Sequence, residues 1–165
     1  MESRTNDVAG PRKITSEWTL WIVAIACALH ATEELLTGWQ QWAPSALGIF
    51  IPTETFVVMN TVLVIAALLL ARIGWRRPAA SLVIPVATLV NAICFHILPT
   101  LLQQRVSPGI YTAVGLYLPF STWAIVGAAR DGASRRSIAT AVGIGSAVAF
   151  GVVLAARWFP PFPLP

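Results

Sequence analysis

Charge is scarce in this chain. Only 11% of its 165 residues are Asp, Glu, Lys or Arg, against about 25% in an ordinary soluble domain. Hydrophobic residues make up 56% and mean hydropathy is +0.72. A chain so poor in charge cannot cover itself against water, so the soluble globular class is excluded and lipid is the solvent. Cysteine is nearly missing too. Cys27 and Cys94 both lie within apolar runs and read as small buried hydrophobes, not as a disulfide framework. The 11 basic residues outnumber the 7 acidic ones, but they form no stripe interleaved with aromatics, which removes nucleic acid as a partner. No polar stretch is long enough for a separate soluble domain.

What the chain does have is apolar runs of spanning length. A transmembrane helix needs about 20 apolar residues, and five such segments are expected, at about 17–36, 54–73, 79–102, 108–129 and 137–156. The fold class is therefore an all-α, polytopic membrane bundle of about five helices. A polar tail (1–16) precedes the single transmembrane domain (17–157), and a proline-rich tail (158–165) follows it. Arg4, Arg12 and Lys13 ahead of an apolar run have the layout of a signal peptide. No small-x-small cleavage site precedes a polar start, however, so this run reads as the first span.

Local punctuation supports these spans. Thr37 and Gly38 end the first helix. The connection over 39–53, with Trp39, Trp42, Phe50, Pro44 and Pro52, suits the headgroup level. Thr53 is expected to cap the second helix. Pro85 and Pro99 should kink the third, and Pro99 frees the carbonyl of Phe95. Ser107 reads as an N-cap with Pro108 at the first helical position, and Asp131 and Gly132 end the fourth helix. The fifth carries small residues at intervals of four: Ala139, Gly143, Ala147, Gly151 and Ala155. That stripe suits close packing within the bundle, or a homodimer through Gly143, Ala147 and Gly151.

Orientation follows from the basic residues. Nine lie on one side (Arg4, Arg12, Lys13, Arg72, Arg76, Arg77, Arg130, Arg135, Arg136), and Arg105 and Arg157 lie opposite. The positive-inside rule puts the N-terminus in the cytoplasm and the C-terminus outside, in a multi-pass protein of the cell membrane. Arg105 reads as an interfacial anchor.

Against this background the polar residues inside spans stand out. His30, Glu33 and Glu34 lie in the outer half of the first helix. Glu33 and Glu34 sit about −60° and +40° from His30, one turn further along, so all three can face the bundle interior. A charge at bilayer depth costs about 2.5–3.5 kcal/mol, and two adjacent carboxylates need a proton, a cation or a basic partner. His96, about one and a half turns before the outer end of the third helix, matches their depth. Asn91 lies five residues earlier and, at about 140° round a regular helix, shares a spot with His96 only if the helix is distorted. Glu54 adds a third acid on the same side and reads first as favouring the dipole of its own helix.

The His30-x-x-Glu33-Glu34 motif inside a span, with Asn91, His96 and the Pro108-Gly109 helix start, resembles the HXXEE family of small multi-pass membrane proteins. The resemblance covers about four of the five helices. In the family's YXPG signature the tyrosine position falls on Val106, followed by Ser107-Pro108-Gly109, and Tyr111 is not a simple replacement. No reaction is firmly assigned to the family, so the resemblance supports the site and leaves the chemistry to the residues.

Three chemistries fit those residues. In the first, His30, His96 and a glutamate, Glu34 or Glu33, hold a divalent metal such as zinc, and the other glutamate is the base. Such a site polarises an ester or amide carbonyl of a lipidic small molecule and activates water against it. In the second, a neutral glutamate protonates an isoprenoid-like double bond without a metal, as an isomerase or cyclase would, with Trp21, Trp39 or Trp123 facing the cation. The third is not enzymatic: a proton-coupled carrier, a ligand-binding protein, or a His/Glu network that only locks the helices together. Membrane lipid and a hydrophobic small molecule are the expected partners.

Overall fold

A computed structural model describes residues 15–158. Every regular element among the described residues is a helix, with no strand, and the main ones are α1 (Trp18–Thr37), α2 (Trp39–Leu47), α3 (Thr53–Ile73), α4 (Pro78–Gln103), α5 (Ile110–Arg130) and α6 (Arg135–Trp158). All except α2 are long and apolar enough to cross a bilayer, and the chain is a multi-pass membrane protein. Of the two expected tails, residues 1–14 and 159–165 lie outside the described residues, whereas Trp158 still belongs to α6.

Small residues let the helices meet. The α1 helix lies along α3 and α5, and α4 lies against α5 and α6. The centre is built from Val23, Ala26, Cys27, Ala67, Ala92 and Ala113. Both cysteines are free, Cys27 buried and Cys94 half-buried. The outward faces keep large apolar side chains, such as Val58, Val62 and Leu69 on α3 and Leu154 on α6. This is the arrangement lipid permits, since only the backbone must be satisfied internally.

One end of the bundle is pinned by acids from α1 and the end of α5. Glu17 accepts the Trp75 backbone N–H (2.6 Å), and Asp131 accepts the Ser16 N–H (2.6 Å) and the Trp75 indole N–H (2.9 Å). At the same end the Ser81 hydroxyl lies 3.0 Å from the carbonyl of Leu70 and 2.8 Å from that of Gly74, where α3 leaves off. At the other end α1 and α4 finish, α5 begins, and the polar residues meet.

Five local expectations change. The connection after α1 is itself largely a helix, α2, bounded by Gly38 (φ 84°) and Gly48 (φ 67°) in left-handed conformations that glycine adopts without strain. Trp39 and Trp42 turn inward and are buried, while Phe50 stays outward. Thr53 is the first residue of α3 and makes no capping bond, because Pro52 holds the N-cap position. Ser107 does not cap α5 either. That helix starts at Ile110, after Gly109 at φ 88°, since the Ser107 hydroxyl is engaged elsewhere. Finally, the small residues that seat α6 on α4 are not the expected stripe. A Cβ at Gly145 would come 2.7 Å from the Val83 carbonyl oxygen and 2.6 Å from the Val86 Cβ, whereas one at Gly143 or Gly151 would meet nothing within 4 Å. Ala141 is fully buried, and Ala139, Gly143, Ala147, Gly151 and Ala155 are exposed.

The expected distortion of the third span is present in a specific form. Pro99 has no N–H with which to bond the Phe95 carbonyl, and α4 widens into a π-helix over Ala92–Ile97. A second π-helix, Ala113–Ser121, runs through α5 and contains Pro119. The π pattern bonds residues five apart and recurs at functional sites.

Candidate metal site

Three side chains converge where α1 and α4 end. Glu34 Oε1 lies 3.6 Å from His30 Nε2 and 3.5 Å from His96 Nε2. All three residues are buried, and the ligand atoms lie within 4.8 Å of one another. The i, i+4 spacing of His30 and Glu34 puts them on one face of α1. His96 is delivered by the π turn of α4, which also accommodates Asn91, five residues earlier, on the cavity side. The two imidazoles meet edge to face, with centroids 4.7 Å apart and planes at 90°.

Hydrogen bonds determine which ring nitrogens point inward. The Thr112 hydroxyl donates to the Glu33 carboxylate at 2.5 Å and lies 2.8 Å from His30 Nδ1. With its one proton committed to the carboxylate, it accepts the Nδ1–H of His30. The Ser107 hydroxyl donates to the Pro108 carbonyl (3.2 Å) and so accepts the Nδ1–H of His96 (3.0 Å). With both hydroxyl protons placed in this way, each histidine donates from Nδ1 and turns its Nε2 lone pair toward Glu34. Both Nε2 atoms are buried with no hydrogen-bond partner among the described residues. Three potential ligand atoms, two imidazole nitrogens and a carboxylate oxygen, thus face one another.

The two glutamates have separate roles. Glu34 joins the cluster. Glu33 turns to the start of α5, where its oxygens accept the backbone N–H groups of Tyr111 (3.1 Å) and Thr112 (2.8 Å). It thus supplies, from another helix, the cap that Ser107 does not, and through Thr112 it orients His30. Glu33 thus carries three donors on its carboxylate and is not among the three side chains that converge.

Gly109 closes the cluster from above. A Cβ there would lie 2.9 Å from each of Glu34 Cγ, His30 Cε1 and His96 Cε1, so the residue must be glycine for both the contact and its positive φ. Ser107 and Pro108 are buried beside it. Tyr117, from the π turn of α5, lays its ring on His30 with centroids 4.4 Å apart.

The other face of the cluster opens on a cavity of about 170 Å³ whose polar lining includes His30, Glu34, Asn60, Asn91 and Tyr117. Asn91 Oδ1 is buried there without a hydrogen-bond partner among the described residues. Of the three tryptophans considered for a cation-facing role, Trp39 lines this cavity; Trp21 and Trp123 are exposed and do not. Glu54 is exposed in the first turn of α3, away from the cluster, and Arg105 is exposed as well. The spacing of polar residues pointed to His30, Glu33, Glu34, His96 and Asn91. It did not single out Thr112 or Tyr117, nor the bond of Ser107 to His96. The available signal was a hydroxyl three residues beyond Gly109 and a tyrosine within the apolar run Ala113–Phe120.

No curated protein and no solved structure matches this chain in comparison. A family described as proteins of unknown function with an HXXEE motif matches residues 21–124. That stretch contains the histidines and glutamates of the cluster together with Ser107, Gly109 and Thr112, and the chain belongs to the HXXEE-motif family.

Proposed function

We propose that His30, Glu34 and His96 hold a divalent metal, with zinc the best fit, and that the site hydrolyses an ester or amide of a hydrophobic small molecule within the membrane. The observation that carries this reading is the convergence of two unpaired Nε2 atoms on Glu34 Oε1. Ligands held at about 2.0–2.2 Å in a tetrahedral shell stand about 3.3–3.6 Å apart; Glu34 Oε1 stands 3.6 and 3.5 Å from the two histidines, and all three ligand atoms lie within 4.8 Å of one another. Two histidines and one glutamate, with the remaining position open, are a donor set of hydrolytic zinc sites, whereas structural zinc is closed by four protein ligands. The open side here is the cavity. The backing hydroxyls of Thr112 and Ser107 are the outer-shell partners that fix ligand tautomers.

In this reading a bound metal supplies a water acidic enough to ionise near neutrality and polarises the substrate carbonyl. Glu34 would hold the metal, and its free carboxylate oxygen would take the water proton. As the water oxygen bonded to the carbonyl carbon and the bond to the leaving oxygen or nitrogen broke, Glu34 would return the proton to that leaving atom. The asymmetry of nine basic residues against two supports placing the site in the outer half of the cell membrane.

Metal analysis tests the proposal. Protein purified in mild detergent without chelators should carry about one divalent metal per chain, and His30→Ala and His96→Ala should each lose it. A metal-free native protein would overturn the reading and favour metal-free proton transfer by Glu34, with Trp39 and Tyr117 facing the cavity.

A further inference from the structure

The exposed small-residue stripe of α6 has a use that its spacing did not suggest. Ala147, Gly151 and Ala155 form one wall of an apolar cleft of about 530 Å³, and Phe50, Pro52 and Met59, leading into and along α3, form the other. This cleft and the inner cavity share Ile51, Met59, Val148 and Val152 as walls. Met59 is the yielding member, since an unbranched thioether side chain rearranges at little cost. At the bundle end the cavity is roofed by Trp39, Leu47 and Ile49, and Gln103 Nε2 donates to the Ala46 carbonyl at 3.0 Å, tying α2 to α4. The thin wall of the cavity therefore faces the bilayer, where the neighbouring molecules are lipid chains.

We infer that this cleft admits a lipid hydrocarbon chain to the site, so that the substrate is a neutral single-chain ester or amide with its carbonyl at His30 and Glu34 and its tail between α3 and α6. The chemistry at the inner end rests on the metal reading above. Volume and polarity define the rest. A dry cavity of about 150 Å³ takes a benzene-sized group, so the inner cavity of about 170 Å³ holds the reacting end of a lipid and no more. The polar side chains His30, Glu34, Asn60 and Asn91 line the inner cavity and not the cleft, which offers hydrocarbon and Thr55. Among the described residues no Lys or Arg lines either space, so these walls offer a phosphate headgroup no counter-charge.

The test uses the full chain in lipid nanodiscs with a long-chain fatty amide bearing a mid-chain diazirine. After irradiation, adducts mapped by mass spectrometry should concentrate on Met59, Val148 and Val152. Gly151→Phe has open space for its side chain and should reduce those adducts about tenfold or more by filling the cleft. Gly143→Phe, on the same helix outside the cleft, should leave them unchanged. Adducts spread evenly over the lipid-facing helices, or insensitive to Gly151→Phe, would overturn the inference. So would a native dimer that Gly151→Phe dissociates, because the cleft would then hold a second copy of the chain. Metal content measured on the same samples separates the two readings. Cleft-selective labelling of a metal-free protein refutes the metal and keeps the path, and metal without cleft labelling refutes the path alone.

Discussion

Thr112→Val is the sharpest perturbation of the site, because it removes one hydroxyl and keeps the side chain's shape. Among the described residues, Thr112 is the one link between the Glu33 carboxylate and His30 Nδ1. Without it the buried Nδ1–H has no acceptor at 2.8 Å, and an unpaired buried donor costs about 1–3 kcal/mol. The ring can recover that loss by moving its proton to Nε2, but this removes the lone pair aimed at Glu34. Either outcome weakens the metal site, by about 10–100-fold on the scale of outer-shell changes. The backbone N–H groups of Tyr111 and Thr112 still cap onto Glu33, so the helix start is retained. The assay is a zinc titration of detergent-purified protein against a chromophoric chelator, with thermal unfolding as the control for fold. Thr112→Ser keeps the hydroxyl and should stay within about threefold of native affinity. If Thr112→Val binds zinc as tightly as Thr112→Ser does, the hydroxyl relay does not position His30 and the tautomer argument fails.

Other outcomes follow from the same geometry. Gly109→Ala should destabilise the protein by about 2–4 kcal/mol, combining a strained positive φ with overpacking against three site residues, read as a lowered melting temperature together with loss of metal. Gly145→Val should lower the melting temperature by driving α6 from the Val83 carbonyl, whereas Gly143→Val on the open side should not. Acidification should release the metal, since protons compete for the two histidine lone pairs and the Glu34 carboxylate. Affinity is then full at neutral pH, falls as pH drops, and returns on neutralisation, as equilibrium dialysis at a series of pH values would show.

Hydropathy and punctuation placed the spans to within a few residues because lipid leaves a chain little choice: every backbone group must be paired within a helix, so apolar length translates directly into element. The depth of His30, Glu33, Glu34 and His96 was legible for the same reason, since a polar residue in a span has to find a partner. Caps were less legible. Thr53 and Ser107 carry the right side chains for capping, but a hydroxyl has one proton, and at Ser107 the competing partner is a histidine eleven residues away in sequence. The small-residue stripe failed as a packing signal because two such stripes run along α6, and only docking on α4 selects Ala141 and Gly145 over Gly143 and Ala147.

The sequence by itself determined that this is a helical membrane protein with a His/Glu cluster at one end of its bundle, because burial in lipid and the cost of intramembrane charge are local properties of the chain. The tertiary structure alone decided that Glu34 enters the cluster while Glu33 caps α5, that Thr112 and Ser107 turn the imidazoles, and that Gly109 closes the site. Those outcomes depend on which helix end meets which, across 79 residues of chain in the case of Glu33 and Thr112, and the periodicity of one helix holds no information about its neighbours.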